Sequence, residues 1–427
     1  MPVAITGLGV VTPAGVGIAP FWRSLVEGPS GIGPIRKFDA SAFPVRLAAE
    51  VSCVAAALSR SLEAPPEAVD LPTRFAVAAA EMAWADAGLG ERVVRPERAG
   101  LFLGVGGFHL PEYRALSGLA AGMGEVIDAA LVCRQARRVE RRGAALLGAP
   151  ITPALAIGRR LSLGGPVAII STACAAGAQA IGEAKRCLER GDADVAVAGG
   201  TEEGVSPIKL LFFSMLGVLS RRTDLGSAAL RPFHRRRDGT VLGDGAGIVV
   251  LETLERARRR GARVYAELAG YGASGDAYRL TDSPPDGSGA ALAMARALAD
   301  ARIHPEAVDY VNAHGTGTVA NDQAEAMAIR RVFGPRVRGL PISSTKPITG
   351  HLVTAAGAVE CIATALSLAR GVIPPTMTCD DLDPDCRLHC VPLTARSKPL
   401  AVALSNSFGF GGQNVALVLR RSGAEMS

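Results

Sequence analysis

Two stretches of small residues set the tightest limit on the fold of this chain: "STACAAGAQAIGEA" (171–184) and "STKPITGHLVTAAGAVECIATAL" (344–366). Each has Ser-Thr closing a strand-like run and Ala-Ala-Gly-Ala opening a helical one. Side chains this small let two helix backbones approach closely. The pair predicts two similar halves whose helices meet near a pseudo-twofold axis. Ala-Gly runs also recur by chance in an alanine-rich chain, so the repeat alone leaves both readings open.

Elsewhere, short apolar runs such as "GLFLGVG", "VAIIST", "ADVAVAGG" and "GIVVLE" alternate with helical stretches such as "RFAVAAAEMAWADAGL". This alternation reads as an α/β fold with buried strands. A length of 427 residues suggests two domain-sized units. The charged stretch 252–267 is read as a polar helix crossing between them, dividing the chain into 1–255 and 256–427. Aromatic residues make up only 4%, which argues against a stacking platform for nucleic acid. The N-terminal "MPVAITGLGVVTPAG" looks like a first strand and not a signal peptide, and no apolar run is read as a membrane span. The eight cysteines have no paired spacing, as expected of reduced thiols in a cytoplasm.

Candidate chemistry gathers at a few positions. Cys174 stands where a strand hands over to a helix, and a helix start favours a thiolate. The alternative is a buried structural cysteine. His314 follows an apolar strand in "YVNAHGTGT", and His351 opens a helix five residues after Lys346. Strand ends are where α/β folds collect active sites. "SNSFGFGGQN" (405–414) is a glycine-rich turn able to present N–H groups or act as a gate. Other features are given ordinary readings. "GYGASG" (270–275) is a weak match to a dinucleotide-binding loop. The arginine runs 134–142, 235–237 and 258–260 are solvated faces, or else a docking surface for an acidic partner. Cys379, Cys386, His389 and Cys390 lack the short Cys-x-x-Cys pairs of structural zinc sites, and no metal is assigned.

Taken together, Cys174, His314, Lys346, His351 and "SFGFGG" resemble the β-ketoacyl-acyl carrier protein synthases, the elongating condensing enzymes of the thiolase fold. The resemblance runs from "VAITGLGVVTPAG" to "NSFGFGGQN", with 140 residues from Cys174 to His314 (314 − 174) and 37 on to His351 (351 − 314). It implies two pseudo-symmetric halves in five layers, α-β-α-β-α, usually dimeric. It also implies Cys174 as nucleophile for an acyl chain delivered on an acyl carrier protein. The oxyanion donors would be the backbone of Cys174 and Phe410, with Gly411 in the gate turn. His314 and His351 would stabilise the enolate formed when malonyl-carrier loses CO2. Lys346 would order His351 and be held by Glu360. Thr316 and Thr318 would meet the phosphopantetheine, Phe213 would line the acyl tunnel, and no cofactor is needed.

Within that family the pattern weakens at residues 108–150, and Gln413 stands where fatty-acid enzymes more often have Thr. The expectation is therefore a ketosynthase of a specialised type II polyketide or polyene pathway, as a homodimer or paired with a chain-length subunit. The alternative is a housekeeping fatty-acid elongation synthase. A non-catalytic chain-length subunit is disfavoured because it would lack Cys174, and a thiolase because "NSFGFGGQN" holds no second cysteine.

Overall fold

The computed structural model describes residues 1–51, 69–90, 94–106, 130 and 149–423. The segment where the family pattern weakens falls almost wholly outside these residues, as does the arginine run 134–142.

Ten strands form one continuous path. They are β1 (Val3–Thr12), β2 (Ala99–Val105), β3 (Val167–Ile170), β4 (Val195–Glu203), β5 (Asp244–Thr253), β6 (Ala266–Gly275), β7 (Tyr310–Asn312), β8 (Ile342–Ser343), β9 (Val402–Gly409) and β10 (Gln413–Arg420). Their order is β8-β7-β9-β10-β6-β1-β5-β4-β2-β3, and a two-residue strand, Gly15–Val16, pairs with β1 off this path. The path reads alike from either end. β3, β2 and β4 pair in parallel and then β5 and β1 antiparallel; β8, β7 and β9 pair in parallel and then β10 and β6 antiparallel. The halves join where Val3, Ala4 and Ile5 pair with Leu268, Glu267 and Ala266.

Strand alternation sorts side chains into layers. In β4, Val195 and Val197 pack with the outer helix α1 (Leu71–Asp86), while Ala196 and Ala198 pack with the central helix α2 (Ala176–Arg190). In β10, Ala416 and Val418 face α3 (Ser288–Ala301), while Val415 and Leu417 face the centre. The second central helix, α4 (Ala356–Arg370), packs against α2 and touches both halves of the sheet. The result is the five-layer order helix, sheet, two central helices, sheet, helix.

Small residues make the centre possible. A Cβ added at Gly177 would lie 2.8 Å from Thr354 O and 3.1 Å from Ala358 Cβ. One added at Gly357 would lie 2.7 Å from Ala178 Cβ and 2.5 Å from Ser407 Oγ. Overpacking of this kind costs about 1–3 kcal/mol. The repeat is also geometric: the tight turns before α2 and α4 place Ala173 at φ 47 and Val353 at φ 42, 180 residues apart (353 − 173). Positive φ is an outlier for a β-branched residue such as valine. On this repeat Thr354 is the counterpart of Cys174.

"GYGASG" lies inside β6, and Gly270 and Gly272 bring the strand against the Ala297 and Ala293 carbonyls of α3. The expectation that no run reaches membrane-span length needs one correction. Val353–Arg370 passes by length and hydropathy, and it is the buried core around α4. Not every arginine of the runs is solvated either. Arg237 is buried, 2.6 Å from Asp383 and 3.6 Å from Asp322, and Arg260 bonds Glu252 and the Ala87 carbonyl. Cys379, Cys386 and Cys390 are buried thiols, and His389 Nε2 lies 3.2 Å from Arg396.

Candidate active site

β3 ends at Ile170, and a tight 3-10 turn, Ala173–Ala175, feeds directly into α2. Cys174 sits in that turn, buried against Leu210, Phe213 and Val353. The expectation of a depressed thiol pKa meets a stronger opposing effect. Burial pushes Cys174 up to about 12, with Glu202 and Glu360 adding to the rise and Lys346 pulling against it. The thiol therefore needs a base, and His351 Nε2 lies 3.1 Å from Cys174 Sγ. Alkylation of Cys174 by iodoacetamide should climb about tenfold per pH unit between about pH 6 and 9, because the thiolate fraction rises tenfold per unit below the pKa. Peptide mass spectrometry reads the rate. A plateau near neutral pH would mean that the proton already rests on His351.

The two imidazoles face each other edge to face, ring centroids 5.4 Å apart. Burial, and then the charge of Lys346, holds both well below the usual histidine pKa, so both are neutral at pH 7. One expected role changes here. Lys346 orders His314 and not His351: its ammonium lies 3.3 Å from His314 Nδ1 and also bonds the His314 carbonyl and Glu360. An ammonium only donates, so His314 Nδ1 must accept and its proton must sit on Nε2. His351 Nδ1 has no partner among the described residues, so nothing pins its tautomer. The pairing of Lys346 with Glu360 is as expected, with the Glu360 carboxyl pushed up to about 7 by burial.

Two further acids hold the backbone beneath the histidines. Glu325 accepts from the N–H groups of His314 and Gly315, each at 2.8 Å, and from Asn406 at 3.1 Å. Asp322 accepts from Thr316, Gly317 and Phe233. Sequence reading missed both, although acids inside the otherwise apolar buried face of "VANDQAEAMAI" were the available signal. Phe408, 5.6 Å from His314 by ring centroids, was missed as well.

Cys174 separates two cavities. One, on the His314 and His351 side, is lined by Thr316, Thr318, Phe408 and Phe410, and the two threonine hydroxyls bond each other at 2.9 Å. The other, about 500 Å³, runs behind Phe213 and Phe410, whose rings are 6.1 Å apart. Gly409 seats the gate turn, since a Cβ there would lie 2.6 Å from Thr172 O and 3.1 Å from Cys174 N. Gly411, at φ 82, points its N–H at the Leu280 carbonyl and not into either cavity. Cys174, His314 and His351 bring donor atoms within 4.8 Å of one another, a set that a thiophilic cation can also bridge.

A buried thiol beside a base of unpinned tautomer and a fixed N–H donor is equipment for taking up an acyl group and then stabilising a carbanion equivalent next to it. On a paired-halves sandwich, that defines a thiolase-fold condensing enzyme. The chain belongs to the β-ketoacyl synthase family: the family's N-terminal domain matches residues 1–257 and its C-terminal domain residues 265–380. It is 41% identical over 424 residues to 3-oxoacyl-(acyl-carrier-protein) synthase 2 of Coxiella burnetii (strain RSA 493 / Nine Mile phase I), covering 98% of each chain. Two solved structures align at TM-score 0.87 with 34% identity. One is a type II PKS acyl-carrier protein in complex with its ketosynthase bound to the hexaketide (98% of this chain, 99% of that one). The other is the ishigamide ketosynthase/chain length factor (99% of each). The chain is therefore a ketosynthase, an acyltransferase that forms carbon–carbon bonds.

Proposed function

We propose that the chain joins malonyl-carrier to an acyl chain held on Cys174, in the manner of fatty-acid elongation. The observation that carries this is His351 Nε2 at 3.1 Å from Cys174 Sγ, with the His314 ring beside it. In the first step His351 takes the thiol proton as Cys174 Sγ attacks the acyl thioester, and returns it to the departing pantetheine sulfur. Backbone N–H groups of Cys174 and Phe410 hold the oxyanion. In the second step the malonyl C–CO2 bond breaks and its electron pair forms an enolate. His314 Nε2–H, fixed by Lys346, and His351 donate to the enolate oxygen. The enolate carbon then attacks the Cys174 thioester, the C–S bond breaks with its electron pair going to the sulfur, a 3-oxoacyl chain leaves on the carrier, and the Cys174 thiolate takes up a proton from solvent to restore the thiol. No C–H proton has to be removed and no cofactor takes part.

The curated relative supports fatty-acid elongation over the specialised pathway expected from sequence. The specialised reading keeps support from the polyketide neighbours and from a charged pair, Lys209 with Glu202, in the wall of the larger cavity. The neighbours' descriptions also support an acyl carrier protein and a second ketosynthase-like chain as partners. Thr316 and Thr318 would meet the phosphopantetheine arm. A cytoplasmic setting suits the free thiols.

Intact-protein mass after mixing with saturated, polyunsaturated and 3-oxo acyl-carriers tests this reading. An acyl adduct on Cys174 is expected, and the acyl group that loads fastest separates fatty-acid elongation from a specialised pathway. No adduct with any donor, alone or with a co-expressed partner chain, overturns it.

A further inference from the structure

The larger cavity is where the acyl chain would lie: Cys174, Phe213 and Phe410 line it, as they line the smaller one, but His314 and His351 line only the smaller. A site for a fully reduced chain needs only apolar walls. This one contains Lys209 and Glu202, which are 6% and 1% exposed and ion-paired with each other. Desolvating two charges costs several kcal/mol per ion, and such a pair often adds nothing to stability over an apolar one. Its retention in a substrate cavity points to recognition.

The hydrogen-bond accounting supports this. Glu202 is committed on both oxygens: Oε1 to Lys209, and Oε2 to Thr354 Oγ1 at 2.9 Å. Lys209 carries three N–H groups, and among the described residues Glu202 is the one acceptor they meet. Thr172 Oγ1, in the same cavity wall, is buried with no partner among the described residues. Lys209 and Phe213 are four residues apart on one face of the helix Pro207–Met215. Lys209 is therefore displaced from the aromatic gate by one helical turn, about 6 Å along the helix axis, and both residues line this cavity.

We propose that Lys209, fixed by Glu202 and assisted by Thr172, is a specificity determinant that donates hydrogen bonds to a ketone oxygen several carbons along the acyl chain, so that oxo-bearing chains load in preference to saturated ones. The proposal rests on the condensing-enzyme reading. A donor-only ammonium selects an acceptor oxygen, and a saturated chain would leave its N–H groups buried and unsatisfied.

The test is competition on the purified full-length chain. Octanoyl-carrier is set against octanoyl-carriers with one ketone in the distal half of the chain, and the Cys174 adducts are read by intact mass. The wild-type chain should load an oxo chain about tenfold faster or more. Lys209→Met should erase or invert that preference, and Lys209→Arg should retain part of it. If Lys209→Met fails to fold because Glu202 is left unpaired, the Lys209→Met/Glu202→Gln double variant removes both charges and makes the same measurement. Equal loading by the wild-type chain overturns the proposal, as does an unchanged preference in the folded variants. Absence of any Cys174 adduct in the wild type overturns instead the condensing-enzyme reading.

Discussion

Cys174→Ala should lose chain elongation by a factor on the order of 10⁴–10⁶, the range seen when an enzyme's nucleophile is removed, while malonyl-carrier decarboxylation continues. The structure separates the two activities. On the proposed mechanism the thiol contributes the covalent acyl-enzyme alone. Apart from the His351 ring's own approach to the Cys174 sulfur, the enolate donors are held by other parts of the chain: His314 by Lys346 on its ring and by Glu325 on its backbone, Lys346 in turn by Glu360, and His351 through its backbone by Val241 and Gly243. None of these contacts includes the Cys174 side chain. Alanine also keeps the tight turn into α2, since its neighbours Ala173 and Ala175 already adopt that geometry. Single-turnover product analysis measures elongation, and labelled CO2 release from malonyl-carrier measures decarboxylation. Elongation by the variant would remove Cys174 as the nucleophile. Loss of both activities in a folded variant would mean that the thiol helps form the enolate site.

The second large effect is an asymmetry between the histidines. His351→Ala and His314→Ala should each lower decarboxylation by about 10²–10³, the usual cost of removing one oxyanion donor. Only His351→Ala should also slow acyl loading, by a similar factor. The reason is positional. Burial pushes the Cys174 thiol up to about 12, and His351 Nε2 is 3.1 Å from its sulfur. His314 faces Lys346 through Nδ1, so its Nε2 carries a proton and cannot accept one from the thiol. Rapid-quench intact mass separates loading from condensation. Equal loading rates in the two variants would show that the thiol does not pass its proton to His351.

Much of this site could be read in the linear chain. Cys174, His314, Lys346 and His351 each stand next to a strand exit or helix start that their neighbours announce, through Ala-Ala-Gly-Ala runs and glycine-rich turns. The repeated small residues were compatible with paired halves, and the fold bears that reading out: side chains this small allow the approach seen between Gly177 and Ala358. These features follow from local chemistry and periodicity.

Other features depend on groups that meet only after folding. The sequence suggested a reactive low-pKa thiol and a Lys346–His351 pairing. Burial reversed the first, because desolvation of a thiolate by the packed centre outweighs the helix start. The fold redirected the second, bringing the Lys346 ammonium to His314, 32 positions away in the chain. Glu325 and Lys209 were unremarkable in sequence, since a charge on a helix is ordinarily solvated. They became interpretable once the fold buried one beneath His314 and the other in the acyl cavity. Sequence by itself carried the family resemblance, and with it the expected architecture and candidate reacting groups, because the motifs that carry it are short local patterns in a fixed order. Tertiary structure alone decided the protonation states, the partner of each histidine and the chemistry of the cavity wall, because burial and long-range proximity set those and neither is a local property.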